Sequence, residues 1–312
     1  MNVALVVVTY NGVSWIRKVL DSVAASNYPC KAIVVDNASN DETALIIENE
    51  YSAVHLIRSE ENVGFGRGNN LGIAYALQNG ADFVFLLNQD AYIFPDTIGT
   101  LVEFMVSHPD YGLASPLHCS PDEQQLDPTT QRAYFNRFAP QMLSDAVLGK
   151  LQPFYCLHGV NAAAWLLSRR CLDTVGGFDP LFFMYGEDDD FLLRVAYHNL
   201  RAAVVTGSRI VQFREKSPRP PAGYFRSIGI AAERIRSSLL LDLKRFDHAH
   251  HFKFQQLMIN GIFRPILSAI EGRDINGLLA SWLAVFKLLT EWRLVIKSVD
   301  RCKIPGPHFF FH

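Results

Sequence analysis

The sequence lacks the features that mark several large classes of protein. Its five cysteines are scattered, odd in number and never spaced as C-x-x-C, which argues against a disulfide framework or a zinc site and favours a reducing, cytoplasmic location. The 312 residues carry a formal net charge of −2, so no overall positive charge favours nucleic acid as a partner. No run reaches about 18 apolar residues, the length of a membrane-spanning helix. The first residues lack the basic region of a signal peptide.

The first hundred residues do have a regular alternation of buried strands and helices. Continuous apolar runs predict four strands, "VALVVVTY", "KAIVVDNAS", "VHLIRS" and "DFVFLLNQD". Helical patterns separate them, and we expect the first helix to begin at a Ser14 cap and the third near Asn69. This order predicts an α/β fold, a Rossmann-like and mostly parallel sheet with helices on both faces. Ligands bind at the carboxyl ends of the strands in such sheets.

Polar residues collect where three of these strands end. They are Thr9-Tyr10-Asn11, Asp36-Asn37 and Asn88-Gln89-Asp90. Each group alone is also typical of a turn or a helix cap, because Asn and Asp are ordinary turn residues. Since the carboxyl ends of parallel strands meet at one edge of the sheet, the three groups together predict a binding site there.

The pair Asn88 and Asp90 offers oxygen ligands at the end of a buried strand. Mg²⁺ and Mn²⁺ prefer such ligands, and magnesium commonly takes one or two protein carboxylates while phosphates and water complete its shell. The pattern therefore predicts a divalent metal that holds a nucleotide diphosphate, and the open alternative is an Asx-turn.

The stretch "ENVGFGRGNN" resembles a dinucleotide fingerprint but does not match one. Its glycines are spaced as Gly64, Gly66 and Gly68 rather than as G-x-G-x-x-G, and it does not follow the first strand. A flexible loop that contains Arg67 and leads into a helix is suited to a phosphate group. The alternative is a glycine-rich connection with a solvated arginine.

Four adjacent acids occur in "YGEDDDF", just before the helical pattern "FLLRVAYHNL". One or two acids at a helix start are explained by the helix dipole. Four exceed that requirement, and their mutual repulsion raises the pKa of the least solvated carboxylate, which improves it as a proton acceptor. We therefore predict a catalytic carboxylate in this run.

The rest of the chain has weaker patterns. Residues 110–157, rich in Pro, Gln and turn residues, are expected to form a long mobile excursion of the kind that covers a substrate. Residues 222–300 are predicted to be mostly helical. Within them, 278–296 forms one amphipathic helix whose stripe either packs on the catalytic domain or lies on a membrane surface. That stripe consists of Leu278, Trp282, Val285, Leu289, Trp292 and Ile296.

Five motifs in this order resemble the family 2 glycosyltransferases with the GT-A fold. They are "VVVTYNG", "IVVDNASND", "NVGFGRGNNLGI", "LLNQDA" and "VGGFDPLFFMYGEDDDFLLR". The resemblance covers residues 3 to about 215 and is closest to the branch that includes bacterial rhamnosyltransferase-like enzymes. It implies a nucleotide-sugar-binding and catalytic domain at 1–215, followed by a C-terminal helical region at 216–312.

The resemblance also implies a role for each motif residue. Asp188 corresponds to the catalytic base, Asp90 to the metal-contacting acid of the family's Asp-x-Asp motif, and Glu187 and Asp190 to acceptor-binding or helix-start residues. Trp165 either stacks on a sugar ring or lies in the core. The residues implied to contact the nucleotide are Thr9, Tyr10, Asn11, Asp36, Gly66, Arg67, Asn70 and Asn88.

One position departs from the family pattern. Where the family often has a histidine that contacts the metal or the diphosphate, a rough alignment places Gln212. Glutamine is a weaker metal ligand, so the resemblance implies reduced metal dependence. Arg209, Arg214 or Lys216 is then expected to neutralise part of the diphosphate charge.

The expected function follows from these roles. Mg²⁺ or Mn²⁺ and Arg67 bind the diphosphate of a UDP- or dTDP-linked sugar, and Asp188 deprotonates the acceptor hydroxyl, which displaces the nucleotide with inversion. The expected acceptor is a glycan or lipid-linked glycan at the cytoplasmic face of a membrane, with peripheral membrane contact left open. The alternatives are a sugar nucleotidyltransferase and a non-catalytic sugar-nucleotide or glycan-binding protein.

Overall fold

The structure, a computed structural model, describes residues 1–213, 228–246, 250–270 and 275–310. These residues contain one nine-stranded sheet. Its strands are β1 (Val3–Thr9), β2 (Cys30–Asp36), β3 (His55–Arg58), β4 (Phe83–Asn88), β5 (Ala91–Ile93), β6 (Tyr111–Cys119), β7 (Phe154–Leu157), β8 (Ala164–Ser168) and β9 (Arg201–Gln212).

Helices connect the strands and fill the C-terminal third. They are α1 (Ile16–Ala24), α2 (Thr43–Glu50), α3 (Phe65–Gln78), α4 (Thr97–Ser107), α5 (Pro128–Ala133), α6 (Pro140–Val147), α7 (Arg169–Val175), α8 (Glu187–Tyr197), α9 (Ile228–Lys244), α10 (His250–Met258), α11 (Arg264–Ile270), α12 (Ile275–Thr290) and α13 (Trp292–Cys302). Two π-helical turns, Tyr134–Phe138 and Ile259–Phe263, lie before α6 and α11.

The strand order is β3-β2-β1-β4-β8-β6-β9-β5, and β7 pairs with β9. The four strands predicted from the sequence are parallel neighbours, as expected. The second half of the sheet is mixed, because β8 runs antiparallel to β4 and β6, and β5 and β7 run antiparallel to β9. The predicted α/β architecture with a mostly parallel sheet is thereby confirmed.

Each face of the sheet is covered by its own set of helices. Alternate residues of a strand point to opposite faces, so Leu5 and Val7 pack with α1, α2 and α4, whereas Ala4 and Val6 pack with α3, α7 and α8. This arrangement buries the central strands β1, β4 and β8 and leaves their ends as the place where polar groups reach the surface.

The glycines of the "GFGRGNNLG" stretch belong to α3 rather than to a loop. The helix begins at Phe65, four residues before the predicted start, after Gly64 in a left-handed conformation with φ 85°. A Cβ atom on Gly68 would lie 2.8 Å from the Val8 side chain, and one on Gly72 would lie 2.4 Å from Val6. The glycines therefore let the helix backbone approach the sheet closely.

Replacing Gly72 by Ala is expected to lower the free energy of unfolding by about 1–2 kcal/mol, because the clash with Val6 outweighs the gain in helix propensity. Gly99→Ala in α4 is the matched control, since its Cβ would meet only Tyr28, at 3.7 Å and beyond. Urea denaturation of both variants measures the difference. Equal stability of the two variants would contradict the proposed packing role.

Two predictions about local structure were wrong. The first helix begins at Ile16, and Ser14 does not cap it; instead the Gly12 carbonyl accepts hydrogen bonds from the Trp15 and Ile16 N–H groups at 2.9 Å. Residues 110–157 are not one long excursion, because they include β6, whose nine residues are all buried between other strands. The Gln residues of this range lie after Cys119, whereas Gly112, Ser115 and Pro116 are part of the buried strand β6.

The C-terminal third is helical, as predicted, but its helices are arranged differently. The single helix expected at 278–296 is interrupted at Glu291, and Trp282 and Leu289 of the predicted stripe are 46% and 41% exposed. The buried face of α12 is instead Ala280, Ser281, Ala284, Val285 and Leu288. The helix thus packs onto the rest of the chain, as one of the two alternatives predicted, but with a face that shares only Val285 with the predicted stripe. No helix of the described residues is long and apolar enough to cross a membrane.

The end of the chain returns to the sheet-bearing region. The Gly177 N–H donates to the His308 carbonyl at 2.8 Å, the Gly306 N–H donates to Thr174, and Phe310 packs into the core. The predicted boundary at residue 215 lies between β9 and α9, in residues outside the described ranges, and it stays a prediction.

Candidate active site

The ends of β1 and β4 are joined by Gln89. Its Oε1 accepts hydrogen bonds from the Thr9 hydroxyl at 2.7 Å and from the Tyr10 N–H at 2.9 Å, and its Nε2 donates to the Tyr10 carbonyl at 3.3 Å. Thr9 is fully buried, whereas the Tyr10 side chain is 41% exposed. Both residues were predicted to contact the nucleotide; in the structure Tyr10 faces solvent and the buried Thr9 supports it. Gln89 has no role that its sequence pattern predicted, although it stands inside the motif.

The ends of β1 and β2 are joined by Asn11, which has φ 50°. Its N–H donates to the Ser39 hydroxyl at 2.9 Å, and its Oδ1 accepts from the Asn40 N–H at 2.8 Å. Asp36 lies beside this link and is buried, and its Oδ1 has no hydrogen-bond partner among the described residues. A buried carboxylate oxygen without a partner is unstable unless a ligand completes it, so Asp36 is suited to accept a hydrogen bond from a ligand.

Asn37 holds the loop that precedes α3. Its Oδ1 accepts from the Val63 N–H at 2.9 Å, and its Nδ2 donates to Asn62 Oδ1 at 3.0 Å. The ends of β1, β2 and β4 and this loop are thus fixed to one another by side-chain amides. The predicted polar edge of the sheet is rigid before any ligand binds.

Asn88 and Asp90 lie at the turn between β4 and β5. The Asn88 N–H donates to the Ala163 carbonyl at 2.9 Å, and its Oδ1 is buried without a hydrogen-bond partner in the described part of the chain. The Asp90 carbonyl accepts from the Phe213 N–H at 2.7 Å, and Gln212 pairs with Ala91. The structure therefore places Gln212 beside the Asp90 turn, where the alignment expected it.

These residues fit a divalent cation that brings most of its own ligands. The described residues contain no cluster of three or more His, Cys, Asp or Glu side chains for a metal. At the turn between β4 and β5 the candidate ligands are the Asp90 carboxylate and Asn88 Oδ1, which has no hydrogen-bond partner among the described residues. That set suits Mg²⁺ or Mn²⁺ bound mainly through substrate phosphates.

Besides Arg67, three cations were expected near the diphosphate, Arg209, Arg214 and Lys216, and the structure describes the first of them. The Arg209 guanidinium lies over the Phe94 ring, 5.0 Å from its centroid. Arg214 and Lys216 lie outside the described residues, so their predicted role is not addressed.

The four acids occupy the first turn of α8, after Gly186 with φ 88°. Asp188 is half-buried, and its Oδ1 accepts from the Asp189 N–H at 2.9 Å. Burial, and then the negative charge of Asp189, raise the pKa of Asp188 to about 6, although backbone hydrogen bonds, one of them from Ala162, oppose the shift. A carboxylate with this pKa is ionised at neutral pH and is a stronger base than an ordinary aspartate.

Asp188 and Asn88 both form hydrogen bonds with the short segment between β7 and β8. Ala162 forms the backbone hydrogen bond to Asp188, and Ala163 accepts the hydrogen bond from the Asn88 N–H. Two neighbouring residues therefore bring the acid run of α8 next to the end of β4. Two of the residues predicted from separate motifs thus contact one segment of the chain.

Glu187 is the second titratable group of this turn. It is buried, with 7% of its surface exposed, and its Oε2 has no partner within the described ranges. Burial, and then the charge of Asp188, raise the pKa of Glu187 to about 7. Gly66 lies beside Glu187 and makes room for Phe178, because a Cβ on Gly66 would lie 2.9 Å from the Phe178 Cβ, whereas its distance of 3.8 Å from the Glu187 Cβ is an ordinary contact. Gly66 thus serves packing, and no phosphate contact is needed to explain it.

The helical segment before α6 lies over this region. A Cβ on Gly159 would lie 2.2 Å from the Phe138 ring, so Phe138 packs directly on the segment that contacts Asp188. Burial raises the pKa of Asp189, and the positive charge of Arg137 opposes that shift. Arg137 is therefore close enough to the acid run to influence an acceptor bound there.

Asp190 does not face an acceptor. It is 1% exposed and forms ion pairs with Arg194 at 2.9 Å and with Lys244 of α9 at 3.1 Å. Lys244 is also paired with Asp179 and donates to the Ser298 hydroxyl at 3.0 Å. The prediction that Asp190 binds acceptor hydroxyls is corrected by this burial. Asp190 anchors α8 to the C-terminal helices.

Two further predicted contacts are corrected by burial. Trp165 is fully buried in the core, where its ring stacks with Phe178 at a centroid distance of 6.1 Å, so it cannot stack on a bound sugar. The Asn70 amide exchanges hydrogen bonds of 2.8 Å with the backbone of Phe178 and donates to the Phe309 carbonyl at 3.1 Å. Its polar groups are thus engaged in structure rather than with a nucleotide.

Arg67 is exposed but points toward the C-terminal helices. Its guanidinium donates to the Pro180 carbonyl at 3.2 Å and lines a cleft of about 260 Å³ together with Lys297 and Arg301 of α13. The lining of this cleft includes none of the described strand-end residues Asp36, Asn88 and Asp90. The expectation that Arg67 contacts the diphosphate has no support in this conformation.

Comparison with known proteins identifies the family. The sequence profile of glycosyl transferase family 2 matches residues 4–170, which is more than half of the chain and contains the strand ends of the site. This chain belongs to glycosyl transferase family 2. The transferase is therefore an enzyme of the class that the five motifs implied.

Two relatives illustrate the range of the family. The low-salt glycan biosynthesis hexosyltransferase Agl10 of Haloferax volcanii is 23% identical over 300 residues, 93% of this transferase and 86% of the relative. An N-acetylglucosaminyl-diphospho-decaprenol L-rhamnosyltransferase of Mycobacterium tuberculosis is 26% identical over 246 residues, 70% of this transferase and 79% of the relative.

Solved structures confirm the GT-A fold of the transferase. The mannosyltransferase PcManGT from Pyrobaculum calidifontis, in complex with GDP-Man and Mn²⁺, aligns with a TM-score of 0.55 and 18% identity over 97% of this chain and 83% of that one. S. aureus TarS 1–349 in complex with UDP-GlcNAc aligns with a TM-score of 0.53 and 19% identity over 83% and 71%. At this level of identity the likeness establishes the fold alone.

Proposed function

We propose that this transferase moves a sugar from a nucleoside diphosphate sugar to a hydroxyl group of a glycan or lipid-linked glycan, with inversion and with Asp188 as the general base. The observation that carries the proposal is the position of Asp188. Its half-buried carboxylate, with a pKa of about 6, contacts the same segment as the unpartnered Asn88 at the end of β4.

The donor nucleotide is proposed to bind across the ends of β1, β2 and β4. The exposed ring of Tyr10 offers a surface for the base or ribose. The unpartnered Asp36 Oδ1 accepts a hydrogen bond from the base or ribose, and the Asn88 Oδ1 accepts one from the sugar nucleotide or binds its cation. Thr9, Asn11 and Gln89 keep these groups in place. A UDP- or dTDP-linked sugar is the proposed donor.

The chemical step uses one base and no covalent sugar intermediate. Asp188 accepts the proton of the acceptor hydroxyl as the oxygen attacks the anomeric carbon from the face opposite the nucleotide. Mg²⁺ or Mn²⁺, when held by Asp90 and Asn88, supplies positive charge against the diphosphate. Glu187, with a pKa of about 7, shares the acid turn and hydrogen-bonds the acceptor. The sugar configuration inverts because a single displacement occurs.

The acceptor is proposed to be lipid-linked and to be used at the cytoplasmic face of a membrane. The Mycobacterium tuberculosis relative is named for a diphospho-decaprenol-linked acceptor. All five cysteines are free in the structure, as is common in a reducing compartment.

The donor class and the metal are tested together by thermal denaturation with UDP, dTDP or GDP, each with and without Mn²⁺. At about 100 times its dissociation constant, the correct nucleotide should stabilise the wild type by roughly 2.7 kcal/mol. We expect Asp90→Asn to lose the part of this stabilisation that requires Mn²⁺. Asp96→Asn is the matched control, because Asp96 is exposed nearby and its side chain caps no helix.

Two results would count against the proposal. If no nucleotide stabilises the wild type, the strand ends do not bind a donor. If Asp90→Asn retains the full effect of Mn²⁺, the metal is held elsewhere.

A further inference from the structure

The helices α10 to α12 expose an unusual number of large apolar side chains. Twelve such residues have at least 38% of their surface exposed. We name this set the apolar face; it consists of Phe252, Phe254, Ile259, Phe263, Leu267, Ile270, Ile275, Leu279, Trp282, Leu283, Phe286 and Leu289. So many exposed large apolar side chains on neighbouring helices are unusual for a monomeric protein.

The apolar face is regular rather than scattered. On the first helical stretch Ile259, Phe263 and Leu267 recur every four residues, and on α12 Leu279, Leu283 and Phe286 recur at intervals of four and three. Residues at these spacings lie on one side of a helix. Both helices therefore present an apolar stripe to the outside.

The two helices are firmly packed against each other and against α9. Gly261 permits the contact, because a Cβ there would lie 2.3 Å from the Val285 side chain, and the Ser281 hydroxyl donates to the Gly261 carbonyl at 2.8 Å. Leu257 and Leu288 are buried with Leu239 and Leu240 of α9. The inner sides of the helices thus form a core, and this core holds the outer stripes in position.

The charge pattern of this region favours an anionic surface. Residues 250–270 and 275–290 contain no Asp or Glu. Among the residues of these stretches that the structure describes, Arg264 is exposed and charged, and the half-exposed Lys287 is paired with Glu233. The Phe254 ring contacts Trp292 of α13 at a centroid distance of 5.7 Å, and α13 adds exposed Arg293 and Lys297.

Other occupants fit the apolar face less well. The longest stretch outside the described residues, 214–227, contains Tyr224 and Phe225 as its large apolar side chains, too few to cover twelve. An interface with a second copy normally has an apolar centre and a polar rim. Here the stripes are long and almost without charge, and exposed cations stand beside them, so an apolar leaflet bounded by lipid phosphates fits them better than a second copy with a polar rim.

We propose that the apolar face docks into one leaflet of an anionic bilayer, with the helices lying in the plane of the interface and Arg264, Arg293 and Lys297 contacting lipid phosphates. The usefulness of this contact for a lipid-linked acceptor rests on the proposed function. The contact itself can be measured without any glycosyl transfer.

The test is sedimentation of the full chain with vesicles of phosphatidylcholine alone and of phosphatidylcholine with phosphatidylglycerol. We expect Leu267→Glu combined with Phe286→Glu to lower the partition coefficient at least about tenfold on both kinds of vesicle. Arg293→Glu with Lys297→Glu should lower it about tenfold or more on the anionic vesicles alone, since each surface cation contributes roughly 1 kcal/mol there. Leu45→Glu with Val106→Glu is the matched control, because both side chains are similarly exposed on α2 and α4.

Equal partition of the wild type and the Leu267→Glu, Phe286→Glu variant would overturn the proposal. So would light scattering that shows a wild-type dimer which this variant converts to a monomer, because a second copy would then cover the face. Thermal stabilisation by the donor nucleotide is measured on the same samples. Its absence in the wild type rejects the proposed function, whereas its retention in the variant shows that lost vesicle binding is not misfolding.

Discussion

The Asp188→Asn variant is expected to have a kcat lower by a factor of about 10² to 10⁴, because general-base catalysis contributes that much to a proton-transfer step. The amide keeps the shape of the side chain and removes its capacity to accept the acceptor proton. Since donor binding uses the ends of β1, β2 and β4, thermal stabilisation by the nucleotide should remain at the wild-type level.

The pH dependence of kcat/KM is a second expected result of the same role of Asp188. The base must be ionised, and the pKa of Asp188 is raised to about 6. Wild-type kcat/KM should therefore fall about tenfold per pH unit below pH 6 and level off above it. The residual activity of Asp188→Asn should lack this limb. Rates measured from pH 5 to 8 with a fixed donor concentration provide the comparison.

The neighbouring acids supply the controls. Asp189→Asn is expected to retain most of the activity, because Asp189 is exposed. Glu187→Gln tests whether Glu187 rather than Asp188 is the base, since the pKa of Glu187 is also raised, to about 7. If Asp188→Asn remained active while Glu187→Gln lost the rate and shifted the pH limb, the base would be Glu187.

The second large effect concerns stability. Lys244→Met should lower the free energy of unfolding by about 3–5 kcal/mol, because it leaves the buried carboxylate of Asp179 without its cation and leaves Asp190 with Arg194 alone. Lys244 is fully buried and pairs with Asp179 and Asp190, which are themselves 1% exposed. Burial would raise the pKa of Asp179, yet the charge of Lys244 holds it below its usual value, so the pair is ionised at neutral pH.

The sign of the pH effect follows from this shift. In the wild type the lowered pKa of Asp179 contributes stability that is present at neutral pH and is lost as the pH falls through that pKa. Without Lys244, burial dominates and Asp179 becomes easier to protonate, so the variant gains stability on acidification. The difference between the wild type and Lys244→Met should thus be smaller at pH 5 than at pH 8.

Two comparisons make the result specific. Lys287→Met removes a half-exposed lysine that pairs with Glu233, and the change should be no more than about 1 kcal/mol. Adding Asp179→Asn to Lys244→Met should restore part of the stability, because one unpaired charge is removed. Urea denaturation at both pH values measures all four proteins. If Lys244→Met and Lys287→Met were equally stable, the buried network would not anchor the fold.

The same network links stability to catalysis. Asp190 lies two residues after Asp188 in the first turn of α8, and it is held by Lys244 from α9. Ser298 of α13 donates to Asp179 in the same cluster. The C-terminal helices therefore help to fix the start of α8, and a loss of Lys244 should reduce kcat in the fraction of protein that remains folded.

The sequence alone determined the first four strands, their parallel order and the polar edge at which they end. Unbroken apolar runs require burial on both faces, and that requirement is local enough to be recognised without tertiary contacts. The acids of "GEDDD" and the pair Asn88 and Asp90 were also recognised in this way, because four adjacent acids exceed what a helix start requires and because polar groups at several strand ends converge on one edge.

Only the tertiary structure decided what the individual side chains do. Asp190 differs from Asp188 because its partner Lys244 is 54 residues away, Asn70 binds the backbone of Phe178, and Trp165 is enclosed by the core. Gly68 and Gly72 of α3 make room for Val8 and Val6 of the sheet. A residue pattern specifies that a helix or strand forms, whereas the side it presents and the partner it meets depend on how the whole chain packs.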